Sequence, residues 1–288
     1  MRKLVLLLGL LTTFSMVVNS KELSINYVPP ENLASDSHAY FVDLLTLALE
    51  KTRNIDGDFT LKPLAFHMVQ SRAIQELAKG NKVDVYWTMT SLAREKKLLP
   101  IRVPLLKGLF GYRIFLIREE DRQKFASINS LDELKLLVAG QGSDWPDTKI
   151  LRANGFDVVG ITDYDSIFPM LQRRRVDFVP RGISEPWGEV KRHQDKNLIV
   201  EETIMLQYPA PMYFFVNQEN TALSERIEKG LNIAIEDGSF EKLFLSHPGS
   251  SEILAKANIE NRKIFRLNNP VLPPETPINN KKFWISVD

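Results

Sequence analysis

Short apolar segments alternate with amphipathic segments along most of the chain. Residues 23–28 alternate apolar and polar side chains, which predicts a strand, and residues 40–52 repeat apolar side chains at helical spacing. The same two patterns recur as a strand over 59–64, a helix over 68–79 and a strand over 83–87. This order of strands and helices predicts a parallel sheet flanked by helices.

The second half of the chain continues the alternation. Strands are predicted at 111–118, 135–139, 157–160, 176–179, 198–201 and 212–216, and helices at 147–154, 163–174, 185–193, 221–235 and 239–247. Residues 73–87 and 167–180 also resemble each other, because each combines an amphipathic helix, a basic end, a Val-Asp pair and an apolar strand. One such recurrence is too little for a solenoid, and it predicts two lobes of like topology.

The usual size of a lobe sets the expected domain boundaries. The expected domains are a signal peptide at 1–20, lobe 1 at 21–108 with 207–267, lobe 2 at 109–206 and a proline-rich C-terminal arm at 268–288. The chain would then cross between the lobes near residues 107–111 and near residues 207–211. We expect the arm to be extended and to pack on a lobe through Phe283 and Trp284.

The first residues have the pattern of a secretory signal peptide. Arg2 and Lys3 precede an apolar run over residues 4–11, and Asn19 and Ser20 end the apolar region. We expect cleavage after Ser20. The run is short for a membrane span, and no later run is long and apolar enough for one, so the mature chain is expected to be soluble and exported.

Cysteine content and net charge narrow the compartment and the partners. The chain has no cysteine, so its stability must come from a core, and it cannot carry a lipid on an N-terminal cysteine. An exported protein without such a lipid tether is best retained by an outer membrane, so we expect the periplasm. The chain has 37 Lys and Arg against 36 Asp and Glu, so loss of Arg2 and Lys3 with the signal leaves a net charge of −1. That balance argues against a nucleic-acid partner.

Motifs for metal, phosphate or hydrolytic chemistry are missing from the sequence. The four histidines are scattered without metal-ligand spacing, at His38, His67, His193 and His247. Residues 140–142 lack the third glycine and the lysine of a phosphate-binding loop, and no Gly-x-Ser-x-Gly motif is present. We expect no metal, no cofactor and no enzymatic activity.

The segment after the third strand carries the candidate chemistry. Thr88, Thr90 and Ser91 supply hydroxyls, and Ser91 fits the N-cap of a helix that begins at Leu92. A strand that runs into such a turn presents unpaired donors, which suits a small anion. Arg94 lies in the first helical turn, where a cation is unfavourable for the helix dipole. Either it binds a carboxylate or it is a solvated arginine on a basic helix, and these residues alone leave both open.

These features together resemble the type II periplasmic solute-binding proteins, specifically the family 3, amino-acid-binding branch. The similarity covers roughly residues 23–250, a span that fits one two-lobed unit. The motifs that carry it, in family order, are Lys82-Val83-Asp84-Val85, residues 89–94, residues 111–117, residues 139–143 and Arg175-Val176-Asp177-Phe178. The resemblance implies an α/β fold of two lobes, each a mostly parallel sheet flanked by helices, joined by two hinge crossings.

The resemblance also implies a ligand site between the lobes. Ser91 and Arg94 match the hydroxyl and the arginine that hold a ligand's α-carboxylate in this family. Gly142 and Ser143 match a turn of the second lobe that adds backbone and hydroxyl donors, and Tyr27 matches an aromatic residue that lines the cleft.

One departure from the family pattern bears on the ligand. The family commonly has an acid shortly after the second Val-Asp strand, where it pairs with the ligand's ammonium group. Here Arg181 and Gly182 occupy that neighbourhood, and the first acid is Glu185. Two desolvated guanidinium groups, Arg94 and Arg181, are costly without matching negative charge. We therefore expect a ligand with two anionic groups, or one without an ammonium group.

Further residues near the predicted cleft allow more than one interpretation. Trp145, in a turn, is a candidate for the cleft wall, whereas Trp87, inside a strand, is a candidate for either the cleft or the core. Asp144 is expected to cap the following helix. Glu185 and Glu189 lie one helical turn apart, and we interpret them as a solvated face rather than an acid-base pair.

The sequence thus predicts a monomeric binding protein that closes over a small carboxylate-bearing solute, either amino-acid-like or another organic anion. Its closed form would be recognised by an ABC-type permease in the inner membrane. One alternative is a sensor whose closure signals to a membrane receptor, and another is a small-molecule lyase or dehydratase on the same fold. Closure would be a hinge motion that is stabilised because the ligand contacts both lobes.

Overall fold

A computed structural model gives the structure of the protein and describes residues 22–30 and 36–285. The strands are β1 Leu23–Tyr27, β2 Phe59–Pro63, β3 Tyr86–Met89, β4 Leu98–Ile101, β5 Tyr112–Arg118, β6 Ala139–Gly142, β7 Val158–Ile161, β8 Val179–Gly182, β9 Leu198–Val200, β10 Ile204–Gln207, β11 Met212–Asn217 and β12 Lys263–Arg266. The helices are α1 Asp36–Asp56, α2 Gln70–Lys79, α3 Leu92–Glu95, α4 Arg122–Ala126, α5 Leu131–Lys135, α6 Pro146–Ala153, α7 Ile167–Gln172, α8 Pro186–Arg192, α9 Thr221–Glu236, α10 Ser239–Ser246 and α11 Pro248–Ala257.

The sequence made two predictions about export and membrane passage. The predicted signal peptide, residues 1–20, lies outside the described residues. Within the described ranges, no helix has both the length and the apolar character that crossing a bilayer requires.

The first lobe contains two small sheets packed against long helices. β1 and β2 pair in parallel, and Val85 extends that sheet through a bridge to Tyr27. β11 lies between β3 and β4 and is antiparallel to both. α1 packs against α9 and α11, and its Leu44, Leu45 and Leu49 are fully buried. These leucines follow the helical spacing in the sequence, so the predicted apolar face of this helix is confirmed.

The second lobe is organised around β5. β5 is antiparallel to β8, β9 and β10, and β12 pairs with β10 in parallel. β6 and β7 form a parallel pair, joined to the strand region of β8 by a bridge between Ala139 and Phe178. The sheets are more mixed than the sequence predicted. The reason is that the strand entering each lobe after a crossing, β5 or β11, runs antiparallel to its neighbours.

The two Val-Asp pairs occupy equivalent places in the two lobes. Asp84 Oδ2 accepts a hydrogen bond from the amide of Asn26 over 2.7 Å, and the Asp84 amide donates to the Asn26 carbonyl over 2.9 Å. Asp177 Oδ2 accepts from the amide of Val138 over 2.9 Å, and the Asp177 amide donates to the Val138 carbonyl over 2.7 Å. Each aspartate therefore ties its own strand to the neighbouring parallel strand.

The two crossings between the lobes run side by side. Residues 102–111 lead from β4 to β5, and residues 208–211 lead from β10 to β11. The amide of Tyr208 donates to the carbonyl of Gly111 over 3.1 Å. A side chain on Gly111 would overlap the Tyr208 carbonyl, so glycine is required for this close approach.

Some predicted boundaries differ from the structure. The predicted strand at 135–139 is wrong, because α5 continues to Lys135 and β6 begins only at Ala139. The predicted strand at 176–179 is displaced, since β8 begins at Val179. Short apolar runs fit a helix end and a strand equally well, which explains the first difference. β12 pairs with lobe 2, although residues 207–267 were assigned to lobe 1; the other domain boundaries stay predictions.

Gly230 on α9 offers a direct test of the packing between α9 and α1. A methyl group on Gly230 would overlap the backbone carbonyl of Ala48, which cannot rotate away as a side chain could. We expect Gly230→Ala to lower the free energy of unfolding by about 1–3 kcal/mol. Alanine is otherwise favoured over glycine in a helix, so Gly188→Ala on α8, which meets nothing within 4 Å, should not destabilise. Equal urea midpoints for the two variants would contradict this close helix contact.

Candidate functional site

Residues 90–94, here called the anchor turn, connect β3 to α3. Ser91 is the N-cap of α3, and its Oγ accepts a hydrogen bond from the amide of Arg94 over 3.3 Å. The predicted cap is therefore confirmed. Thr90 Oγ1 donates to Oε1 of Glu95 over 2.5 Å, so this hydroxyl faces α3. Thr90 and Ser91 are both buried.

The expectation of free backbone donors in the anchor turn is wrong for three of its amides. The amide of Thr90 donates to Pro211 over 2.9 Å, and the amide of Leu92 donates to Val271 over 3.0 Å. The amide of Arg94 is bonded to Ser91. The sequence could not show this, because the two distant acceptors arrive from the second crossing and from the C-terminal segment. An anion at this turn would depend on side chains more than on these amides.

The guanidinium of Arg94 is buried and bonded only to neutral oxygens. Nη1 donates to Thr88 Oγ1 and to the Met89 carbonyl, each over 2.7 Å, and Nη2 donates to Gln70 Oε1. Arg94 is 7% exposed, and among residues 22–30 and 36–285 no carboxylate forms an ion pair with it. A buried cation without an ionic partner is unfavourable, so the site is electrostatically matched to an anion.

Two acids of lobe 2 act on Arg94 from across the interface between the lobes. Burial lowers the pKa of Arg94, while Tyr86, Asp147 and Asp144 oppose that shift. Asp144 is exposed and Asp147 is buried. The interpretation of Asp144 as a helix cap is wrong, because the N-cap of α6 is Trp145 and no side chain caps that helix.

Aromatic side chains form one wall next to the anchor turn. The centre of the Trp87 ring lies 4.8 Å from the ring centre of His38 and 6.1 Å from that of Tyr27. The ring of Tyr86 is stacked on Trp87, with 6.3 Å between the ring centres. Tyr27, Tyr86 and Trp87 are half-buried. Burial raises the pKa of Tyr86 to about 12, so its hydroxyl stays protonated. Trp87 therefore contributes both to the core and to a partly exposed aromatic surface.

The predicted turn of lobe 2 follows β6. A side chain on Gly142 would overlap the indole of Trp145, so glycine allows the indole to lie directly on the backbone. The carbonyl of Gly142 accepts from Thr148 Oγ1 over 2.7 Å. The amide of Ser143 donates to Ile161 over 2.9 Å, and Ser143 is exposed. The Ser143 hydroxyl and the exposed Asp144 carboxylate are therefore accessible polar groups of this turn.

Arg181 is held by carboxylates within lobe 2. Its Nε donates to Glu189 over 2.9 Å and its Nη2 over 2.7 Å, and Glu185 Oε1 lies 3.3 Å from Nη2. The guanidinium also lies 4.5 Å from the centre of the Trp145 ring. Burial alone would lower the pKa of Arg181, but Glu185 and Glu189 outweigh it and the pKa is raised. Its partners thus neutralise its charge inside the protein.

The pairing of Arg181 with Glu189 and Glu185 contradicts two inferences made from the sequence. The argument for a dianionic ligand assumed that Arg181 lacks a carboxylate partner, and that assumption is wrong. The interpretation of Glu185 and Glu189 as a solvated face is also wrong for Glu189, which is 4% exposed and accepts from Tyr164 Oη over 2.6 Å. Glu185 is half-buried and accepts from the amide of Gly182 over 2.7 Å.

The sequence did not predict a buried network of an ion pair and hydrogen bonds at the hinge. Arg113 Nη2 lies 2.9 Å from Asp147 Oδ1, and Arg113 Nε donates to Tyr208 Oη over 2.9 Å. Tyr208 Oη in turn donates to Asp147 Oδ1 over 2.5 Å. Arg113 also contacts Met89 Sδ of lobe 1 at 3.4 Å. An arginine inside an otherwise apolar strand was the one available signal, because a buried charge requires a partner.

Comparisons with known proteins place this geometry in a known fold. No protein-family model matches the sequence, and no curated protein matches it. A periplasmic His/Glu/Gln/Arg/opine family-binding protein from Silicibacter pomeroyi, in complex with lysine, aligns with a TM-score of 0.58 and 9% identity over 78% of this chain and 97% of its own. An ancestral arginine-binding protein bound to glutamine gives a TM-score of 0.57 and 18% identity over 80% and 99%.

A third similar structure is the substrate binding protein of an amino acid ABC transporter. It aligns with a TM-score of 0.51 and 13% identity, over 73% of this chain and 87% of its own. At such identities the likeness establishes the fold and not the ligand. The chain has the two-lobed fold of type II periplasmic binding proteins, as predicted.

Proposed function

We propose that the chain is a solute-binding protein that holds a small carboxylate-bearing solute between its two lobes. The observation that carries this proposal is the buried guanidinium of Arg94, whose described partners are all neutral. A ligand carboxylate would supply the missing negative charge, and a planar guanidinium matches a carboxylate well. Thr90 and Ser91 lie in the same turn as Arg94, and Ser143 has an exposed hydroxyl on lobe 2.

The charges of lobe 2 favour an amino-acid-like solute over a dianion. Arg181 is neutralised by Glu189 and Glu185, so it leaves no spare positive charge for a second anionic group. Asp144 is exposed on the turn that faces Arg94 and is suited to an ammonium group. A zwitterion would therefore place its carboxylate at lobe 1 and its ammonium at lobe 2, and this contact with both lobes would stabilise closure.

The aromatic wall would cover the remaining part of the solute. Tyr27 and Trp87 present partly exposed rings next to the anchor turn, and Trp145 presents a half-buried indole from lobe 2. Such rings fit an apolar side chain or a cationic one. Binding rather than catalysis is the proposed role, and delivery to an ABC-type permease from the periplasm is proposed as the consequence of closure. The similar structures, which bind lysine or glutamine, support the proposal that this chain binds an amino-acid-like solute.

A thermal-shift screen with matched pairs of solutes tests the proposal. Each L-amino acid is compared with the amine that lacks its carboxylate, for example L-arginine with agmatine. We expect at least one amino acid to raise the unfolding temperature and its decarboxylated partner to leave it unchanged. At about 100 times the dissociation constant, the expected stabilisation is about 2.7 kcal/mol. Equal stabilisation by the amine would refute the role of the carboxylate.

A further inference from the structure

Residues 268–285, here called the arm, follow β12 and start on lobe 2. Asn154, at the C-terminal end of α6, donates from Nδ2 to the carbonyl of Asn268 over 2.8 Å. In return, the amide of Asn268 donates to Asn154 Oδ1 over 3.1 Å. This reciprocal pair fixes the start of the arm to lobe 2, in addition to the pairing of β12 with β10.

The next residues of the arm reach the hinge and then lobe 1. Asn269 Nδ2 donates to the carbonyl of Pro209, in the second crossing, over 2.7 Å. The amide of Leu92 donates to the carbonyl of Val271 over 3.0 Å. Asn269 Oδ1 also accepts from the amide of Val271 over 3.0 Å, which fixes the geometry between the two contacts. The arm is therefore bonded directly to the anchor turn.

The far end of the arm lies on the first crossing. The indole of Trp284 covers Gly108, whose φ is 83°, and a side chain on Gly108 would overlap that indole. The amide of Ile285 donates to the carbonyl of Lys107 over 2.9 Å. One continuous segment thus contacts lobe 2, both crossings and the anchor turn of lobe 1.

We propose that the arm is a strap that limits how far the two lobes open. A two-lobed protein opens by rotation at its hinge, and here a third segment joins the lobes beside the two crossings. Opening must break the bonds of Asn154, Asn269 or Val271, or detach the arm from one lobe. The strap therefore keeps the ligand-free chain close to the closed arrangement and raises the population that can bind.

Spin labels on the two lobes can measure this restraint. The chain has no cysteine, so Lys79→Cys on α2 and Lys191→Cys on α8 would be the only labelling sites. Both lysines are exposed. The protein is unfolded, dialysed and refolded to remove any bound solute, and the distance distribution is recorded by double electron–electron resonance. No solute is added, so the result does not depend on the proposed function.

The test compares two arm variants in this labelled background. Asn154→Ala with Asn269→Ala removes the side-chain bonds that hold the start of the arm to α6 and to the second crossing, while β12 stays paired with β10. We expect a new population at longer distance. Asn280→Ala is the matched control, because Asn280 Oδ1 accepts a hydrogen bond from the backbone amide of Lys282, within the arm, over 3.2 Å. It should leave the distribution unchanged.

The distance distributions either support or overturn the strap. A longer-distance population in the double variant alone supports the strap. Identical distributions in the parent, the control and the folded double variant overturn it. Where circular dichroism shows that the double variant fails to fold, the single variant Asn269→Ala is measured instead. A partial shift then supports the strap, and an unchanged distribution overturns it.

Discussion

Replacing Arg94 with alanine is expected to abolish the stabilisation of the protein by its solute. The guanidinium is the buried positive charge of the anchor turn, and its described partners are two neutral side chains and one carbonyl. Without it, a carboxylate would enter a desolvated site with no cation to balance its charge. The shift of about 2.7 kcal/mol expected for the parent at about 100 times the dissociation constant should fall to zero.

The ligand-free stability of this variant separates loss of binding from loss of fold. Removal of the guanidinium leaves the Thr88 hydroxyl and the Met89 carbonyl without a donor, which costs about 1–3 kcal/mol, but it also removes a buried cation. The variant should therefore still fold. Arg122→Ala is the control, since Arg122 forms a surface ion pair with Glu202 and should bind as the parent does. Parent-like thermal shifts in Arg94→Ala would refute the assignment of Arg94.

The parts of the fold that the sequence predicted correctly are those specified by local signals. α2 ends at Lys79 because Gly80 adopts a φ of 68°, a conformation that glycine tolerates. α3 begins where Ser91 can cap it. β4, β10 and β12 were missed, because each is only four residues long and is defined by partners far along the chain. Local patterns carry no information about such pairings.

The candidate site was predictable to the same extent. Arg94 and Ser91 could be identified because a hydroxyl cap and a first-turn arginine are adjacent in sequence. The pairing of Arg181 with Glu189 could not be predicted, because it joins β8 to α8 across a turn whose geometry the sequence does not reveal. The ion pair of Arg113 with Asp147 is still less accessible, because it joins β5 to α6. The electrostatic character of a cleft thus depends on tertiary pairs more than on the charges counted in a motif.

Asp147→Ala is expected to cause the largest loss of stability among the substitutions considered. Asp147 is 7% exposed, and Arg113, its ionic partner, is 2% exposed. Tyr208 also donates to this carboxylate. Removing the carboxylate leaves a buried guanidinium without its ion-pair partner, and breaking a buried pair in this way costs about 3–5 kcal/mol. The free energy of unfolding, measured by urea titration, should fall by that amount.

Asp144→Ala provides the matched control, because Asp144 lies three residues earlier, in the turn that precedes α6, and is exposed. Its loss should change the free energy of unfolding by less than about 0.5 kcal/mol, as for most surface substitutions. The proposed ligand contact of Asp144 predicts instead a weaker thermal shift by amino acids. If Asp147→Ala and Asp144→Ala were equally stable, the Arg113–Asp147–Tyr208 network would not hold the hinge. A loss of stability in Asp147→Ala, together with a weaker thermal shift but unchanged stability in Asp144→Ala, would assign Asp147 to the hinge and Asp144 to the solute.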